Sequence, residues 1–198
     1  RFFREPVHFD FLTKSVYPKL FDRENKNEHI RLWSAGCSTG EEPYTLAMTI
    51  LKHLKSPANL DYDIKILGTD ISTRVLQKAM AGIYSDSIME TVPESARNLF
   101  FKKIKREEGM SYHISEQIAN MTTFRRFNLT ETFPFSNKFN VIFCRNVMIY
   151  FDRSTQQSLI DKFFNSLKPG GHFFIGHSES LTAVTHQFKY IVPTIYQK

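Results

Sequence analysis

The chain has 198 residues, with 26 lysines and arginines against 20 aspartates and glutamates, giving a formal net charge of +6. That length suits one domain with a sizeable core, and the mild positive balance leans toward acidic partners without amounting to a nucleic-acid signature. Two cysteines, Cys37 and Cys144, and seven histidines with no His-x-x-x-His pair argue against a metal site. Nothing at the N-terminus reads as a signal peptide or a spanning helix, so a reducing, cytoplasmic setting is expected.

Phe9, Leu12, Val16 and Leu20 recur at helical spacing and predict a scaffold helix ahead of the first strand. Ile30-Arg31-Leu32-Trp33-Ser34 reads as that strand. It runs into the turn Ala35-Gly36-Cys37-Ser38-Thr39-Gly40 and then into a helix presenting Leu46, Ala47, Ile50, Leu51 and Leu54. A second strand, Ile64-Lys65-Ile66-Leu67-Gly68, ends on Asp70, and the helix after it takes Ser72 or Thr73 as cap and carries Val75, Leu76, Ala79 and Met80. Between residues 93 and 118 the pattern shortens to Leu99-Phe100-Phe101 and Tyr112-His113-Ile114 around the charged run 102–108, which predicts a small antiparallel insertion at about 95–120. Strands are expected at 122–127, ending on Asn128, and at 139–144. A helix follows through Leu159, Ile160, Phe163, Phe164 and Leu167, then Lys168-Pro169-Gly170-Gly171 as a stop, a strand at 172–176 and closing strands at 188–192 and 194–196. The alternation predicts an α/β fold with a doubly wound, Rossmann-like parallel sheet filling one domain, 1–198.

Ligands of such sheets gather beyond the carboxyl ends of the strands. Glycines in the 36–40 turn allow close backbone approach, Asp70 suits both hydroxyls of a ribose, and Glu41 suits an ammonium group or hydroxyls. A phosphate fits badly, because the turn lacks a Gly-Lys-Ser/Thr ending and Glu41 and Glu42 would repel it. A cofactor with a ribose, an amino group and no phosphate is favoured, and S-adenosylmethionine has those groups. Gly36-Cys37-Ser38-Thr39-Gly40 also matches the Gly-x-Ser-x-Gly elbow of serine hydrolases, but that fold places several strands before the elbow and here one precedes it. A basic RNA-modifying enzyme is the other reading of the charge, against which the run 102–106 reads as a solvated hairpin.

Arg1-Phe2-Phe3-Arg4-Glu5, residues 33–44, Gly68-Thr69-Asp70-Ile71 and above all Phe143-Cys144-Arg145-Asn146-Val147-Met148-Ile149-Tyr150-Phe151 closely resemble the CheR family of chemotaxis receptor methyltransferases. Lys168-Pro169-Gly170-Gly171 and Gly176-His177-Ser178-Glu179-Ser180 are also similar. The resemblance implies a class I methyltransferase fold and methyl transfer from S-adenosylmethionine to glutamate side chains on the cytoplasmic helical region of chemoreceptors. It leaves S-adenosylhomocysteine as product. It implies cofactor contacts from Arg4, Glu41, Asp70, Asn128, Leu129, Cys144 and Arg145, with Arg4, Tyr150 and Arg145 near the transferred methyl. No nucleic acid, metal or membrane insertion is implied. The alternative is a cofactor-binding signalling domain of the same fold that does not catalyse.

Two departures stand out. The chain opens at Arg1, inside a motif that the family precedes with an Asn, a Thr and an N-terminal helical domain, which predicts weaker cofactor binding and impaired transfer. Members that dock a receptor-tail pentapeptide on the inserted hairpin resemble one another in a Gly-x-Gly; the matching stretch 102–109 lacks it, so that docking is not expected.

Overall fold

In the computed structural model, residues 1–22, 29–55, 62–106 and 109–198 are described. Among these residues, ten strands form two sheets. The large one comprises β1 (His29–Ala35), β2 (Asp63–Asp70), β6 (Thr122–Arg126), β7 (Phe139–Cys144), β8 (Leu167–Ile175), β9 (Lys189–Val192) and β10 (Ile195–Gln197). Its order is β6-β2-β1-β7-β8-β10-β9, parallel from β6 to β8, with β10 running antiparallel between β8 and β9. The doubly wound α/β fold expected from the alternation is present.

Both faces of this sheet are covered, which is why its central strands read as nearly continuous apolar runs. Successive residues point to opposite sides. Ile30 and Leu32 of β1, with Val141 and Phe143 of β7, join one core together with α1 (Pro6–Phe11), a π-helical turn (Leu12–Val16), α2 (Tyr17–Leu20) and α3 (Glu41–Leu54). Leu76 and Ala79 of α4 (Thr73–Ala81) complete that layer. Trp33 and Ala35, with Ile142 and Cys144, face the other core against α8 (Arg153–Ser166). There Trp33 is fully buried among Phe127, Phe133, Phe135, Phe139 and Phe163, and its indole N–H donates to Thr69 Oγ1 at 2.9 Å.

Three local expectations are corrected. Leu99 and Phe100 do not begin a strand: they end helix α6 (Glu94–Phe100), in which Ala96 and Phe100 are buried, and β4 (Phe101–Arg106) begins one residue on. The small sheet draws its third strand, β3 (Ile83–Ser85), from upstream of residue 95, in the order β3-β5-β4 with β5 (Gly109–Ile114) central. It is supported by α5 (Asp86–Met89), while α7 (Glu116–Met121), at the end of the expected insertion, packs on α3. Lys168-Pro169-Gly170-Gly171 does not stop the chain between helix and strand but lies inside β8, where the pairing shifts from Phe139↔Leu167 to Val141↔His172. A bulge is where a strand tolerates proline. Glu107 and Glu108 of the charged run lie outside the described residues.

Candidate active site

The carboxyl ends of β2, β1 and β7 open onto one cavity of about 540 Å³. Its walls are Arg4, Gly36, Ser38, Asp70, Ile71, Phe127, Asn128, Leu129, Arg145, Asn146, Val147, Tyr150 and Phe151. It lies beside β1, where the strand order reverses, the usual ligand crevice of an open parallel sheet.

The first wall is the turn after β1. Gly36 N–H and Cys37 N–H both donate to Thr69 O at 2.8 Å, fastening the turn to β2. Gly36 has φ +83°, and a side chain there would meet Val147 Cγ2 at 2.4 Å, so the turn after β1 and the loop after β7 pack together only through glycine. Ser38, at φ 49°, turns its N–H onto Asp70 Oδ2 at 2.9 Å. Asp70 Oδ1 accepts the Ser72 N–H at 2.9 Å, and Ser72 makes no side-chain cap of its own on α4. Each Asp70 oxygen takes one amide and keeps acceptor capacity for a ligand hydroxyl.

The opposite wall is the loop 145–151. Arg145 is almost fully buried: its Nε donates to Glu42 Oε2 at 2.6 Å, its Nη1 to the Arg4 carbonyl at 2.6 Å, and Glu5 Oε2 lies 3.3 Å from Nη1. Its guanidinium also stands over the rings of Phe9 and Phe143. Glu42 accepts in addition from Ser34 Oγ at 2.7 Å. Arg145 therefore touches the cavity as one member of an interior ion-pair network. His8 belongs to the same network, with Nδ1 3.1 Å from Arg145 Nη1 and Nε2 2.7 Å from Thr194 Oγ1. Burial first, then the charge of Arg145 and the nearness of His177, bring its pKa down to about 3. A neutral ring accepting at Nδ1 and donating at Nε2 satisfies both neighbours.

Arg4 and Tyr150 stand at the mouth. Arg4 is exposed and lies between Phe3 and Glu5, both left-handed at φ 51° and 57°. Conformations of that kind cost of order 1 kcal/mol each. They are held by Phe2, buried against Tyr84 and Phe101, by the Phe3 N–H to Thr45 Oγ1 at 3.3 Å, and by Arg145 on the Arg4 carbonyl. Tyr150 ends a single 3₁₀ turn (Met148–Tyr150) and is 81% exposed, the opposite of a core aromatic.

Of the residues anticipated from sequence, Arg4, Asp70, Asn128, Leu129, Arg145 and Tyr150 line the cavity; Glu41 and Cys144 do not. Glu41 is buried beside the N-terminus, accepting from Thr39 Oγ1 at 2.7 Å with the Arg1 amine 3.7 Å away. Cys144 lies wholly inside β7, its thiol pushed upward by burial and then by Glu179 and Glu42. Cys37 is likewise raised by burial, then by Asp70 and Glu42, so neither thiol is a nucleophile at neutral pH. Asn128 Oδ1 holds its own turn through Thr130 N and Oγ1. Sequence reasoning gave no part to Ile71, Phe127 and Val147. They supply apolar wall, and their place within three residues of the ends of β2, β6 and β7 was the available signal.

Residues 1–196 match the family described as CheR methyltransferase, SAM binding domain. The chain belongs to that family. It is 40% identical over 198 residues to a probable chemotaxis protein methyltransferase of Rhizobium etli, covering 100% of this chain and 73% of the relative. It is 42% identical over 200 residues to the chemotaxis protein methyltransferase of Borreliella burgdorferi, covering 100% and 69%. With that of Salmonella typhimurium the identity is 37% over 198 residues, covering 98% and 65%. S-adenosylmethionine is accordingly the cofactor, and this CheR-family cavity fits it. Asp70 offers free acceptor capacity to ribose hydroxyls, and Phe127, Leu129 and Ile71 give apolar surface to a flat base. Among the described residues, no helix is long and apolar enough to cross a membrane.

Proposed function

We propose that this chain, acting as one methyltransferase domain in the cytoplasm, transfers the methyl group of S-adenosylmethionine to glutamate carboxylates on the helical cytoplasmic region of chemoreceptors. The products are glutamyl methyl esters and S-adenosylhomocysteine. The names of its relatives support methylation in chemotaxis. The finer reading, a carboxylate acceptor, rests on one observation: Arg4 is exposed and lines the same cavity as Tyr150, and its guanidinium has no partner among the described residues.

Bound cofactor supplies an electrophilic sulfonium methyl. A glutamate is ionised at neutral pH and attacks without a general base. The carboxylates around the site are engaged: Asp70 by Ser38 and Ser72 amides, Glu42 by Arg145 and Ser34, Glu41 by Thr39. That arrangement suits a reaction in which no proton is abstracted. Arg4 draws the incoming carboxylate to the mouth, Tyr150 covers it from the other side, and the apolar wall excludes water from the line of attack. The stretch 102–109 carries no Gly-x-Gly, and docking of a receptor-tail pentapeptide is not part of the proposed function. With labelled cofactor and a chemoreceptor cytoplasmic fragment, base-labile label lost as methanol is expected. Base-stable label on the protein would contradict a carboxylate acceptor, and cofactor binding without transfer would favour the signalling-domain alternative.

A further inference from the structure

Glu179 lies beyond β8, outside the cavity wall, yet it governs the wall's most elaborate loop. Its side chain is buried, and both of its oxygens are fully engaged with main chain. Oε1 accepts the N–H groups of Val147 at 2.9 Å and Met148 at 2.8 Å. Oε2 accepts those of Asn146 at 2.9 Å and Gly176 at 2.7 Å. Three successive amides of the 145–151 loop thus converge on one carboxylate, a geometry opened by Asn146 at φ 59°. Gly176 leaves room for it: a side chain there would meet Asn146 Nδ2 at 2.8 Å, and Asn146 N and Glu179 Oε2 at 3.0 Å.

Only a carboxylate presents two oxygens that accept and never donate; an amide would turn an NH₂ toward two N–H groups. We propose that Glu179 is a positioning residue for methyl transfer. It fixes the loop that carries Tyr150 to the cavity mouth, and through Arg145 and its bond to the Arg4 carbonyl it fixes Arg4 as well. This assignment rests on the transfer reaction proposed above. Asp70, Phe127, Asn128 and Leu129, which offer the hydroxyl-binding and base-facing surfaces, come from other strands, so the loop bears chiefly on the side of the cavity where Arg4 and Tyr150 stand.

The test compares the full chain with Glu179→Gln and Gly176→Ala, which disturb the same node by different chemistry. The readouts are kcat and KM on the receptor fragment, affinity for S-adenosylhomocysteine by calorimetry, and thermal unfolding. A misplaced loop lowers kcat about 100-fold in Glu179→Gln and about 10-fold in Gly176→Ala while product affinity stays within about threefold of wild type. Unchanged kcat in both variants overturns the assignment, as does product affinity falling in step with kcat, or loss of the fold in both. A wild-type chain that transfers no methyl would defeat the functional reading and this assignment together. An active wild type with unaffected variants defeats the assignment alone.

Discussion

The turn after β1 and the loop after β7 meet where Gly36 packs against Val147, and a carboxylate from a neighbouring strand end organises each of them. Asp70 holds the first through a single amide, that of Ser38, and faces the cavity. Glu179 holds the second through three, and lies behind it. A carboxylate that stabilises a few amides keeps lone pairs for a ligand; one saturated by amides serves as scaffold. The same residue chemistry becomes binding or positioning according to how many main-chain donors surround it.

The largest effect is expected at Arg145, which opens the second loop. Its replacement by Met leaves the half-buried Glu42 carboxylate with the Ser34 hydroxyl alone, and breaking such a pair from one side costs at most about 3–5 kcal/mol. Urea unfolding should show that loss, and a change under about 1 kcal/mol would mean the network contributes little.

Arg4 sharpens the distinction between binding and turnover. Arg4→Ala removes a charge-assisted contact to the acceptor carboxylate, so kcat/KM should fall about 10- to 100-fold with product affinity nearly unchanged. A matching loss of product affinity would place Arg4 on the cofactor instead of the acceptor.

Protons give a milder test. Burial holds His8 near a pKa of about 3, and partial burial with Lys19 nearby holds His172 near about 4, against 6.5 for the free side chain. The unfolded chain binds these protons first as pH falls. Stability is therefore complete above pH 6.5 and declines toward pH 4, by at most about 1.4 kcal/mol per pH unit for each ring. His172→Gln should flatten the slope measured by thermal unfolding between pH 6.5 and 4; an unchanged slope would assign the loss to other groups. The smallest effect belongs far from both loops: Lys102→Ala with Lys103→Ala, on the exposed hairpin, should change methyl transfer less than about twofold. A large drop would restore a docking role to the hairpin.

Much of the cavity was legible because its residues sit at strand ends. Short apolar runs mark the strands, and Gly36, Asp70, Asn128 and Arg145 stand at or just past the ends of β1, β2, β6 and β7. The residues that escaped depend on contacts far apart in sequence. Glu41 has the right chemistry at the right turn, yet its side chain turns back to Thr39. Cys144 sits at a strand end but on its buried face. Glu179 gives no local signal, since four amides converge on it only after β7 and β8 pair. In the small sheet, β3 is three residues long, too short for periodicity, and the apolar run Leu99-Phe100-Phe101 reads as one strand although the helix ends and β4 begins inside it.

Calorimetric titration of S-adenosylhomocysteine into wild type, Asp70→Ala and Glu179→Gln tests the division of labour most directly. Micromolar binding to wild type, a loss of about 100-fold in Asp70→Ala and affinity within about threefold of wild type in Glu179→Gln are expected. Equal losses in the two variants would contradict it, because the two carboxylates would then serve one function.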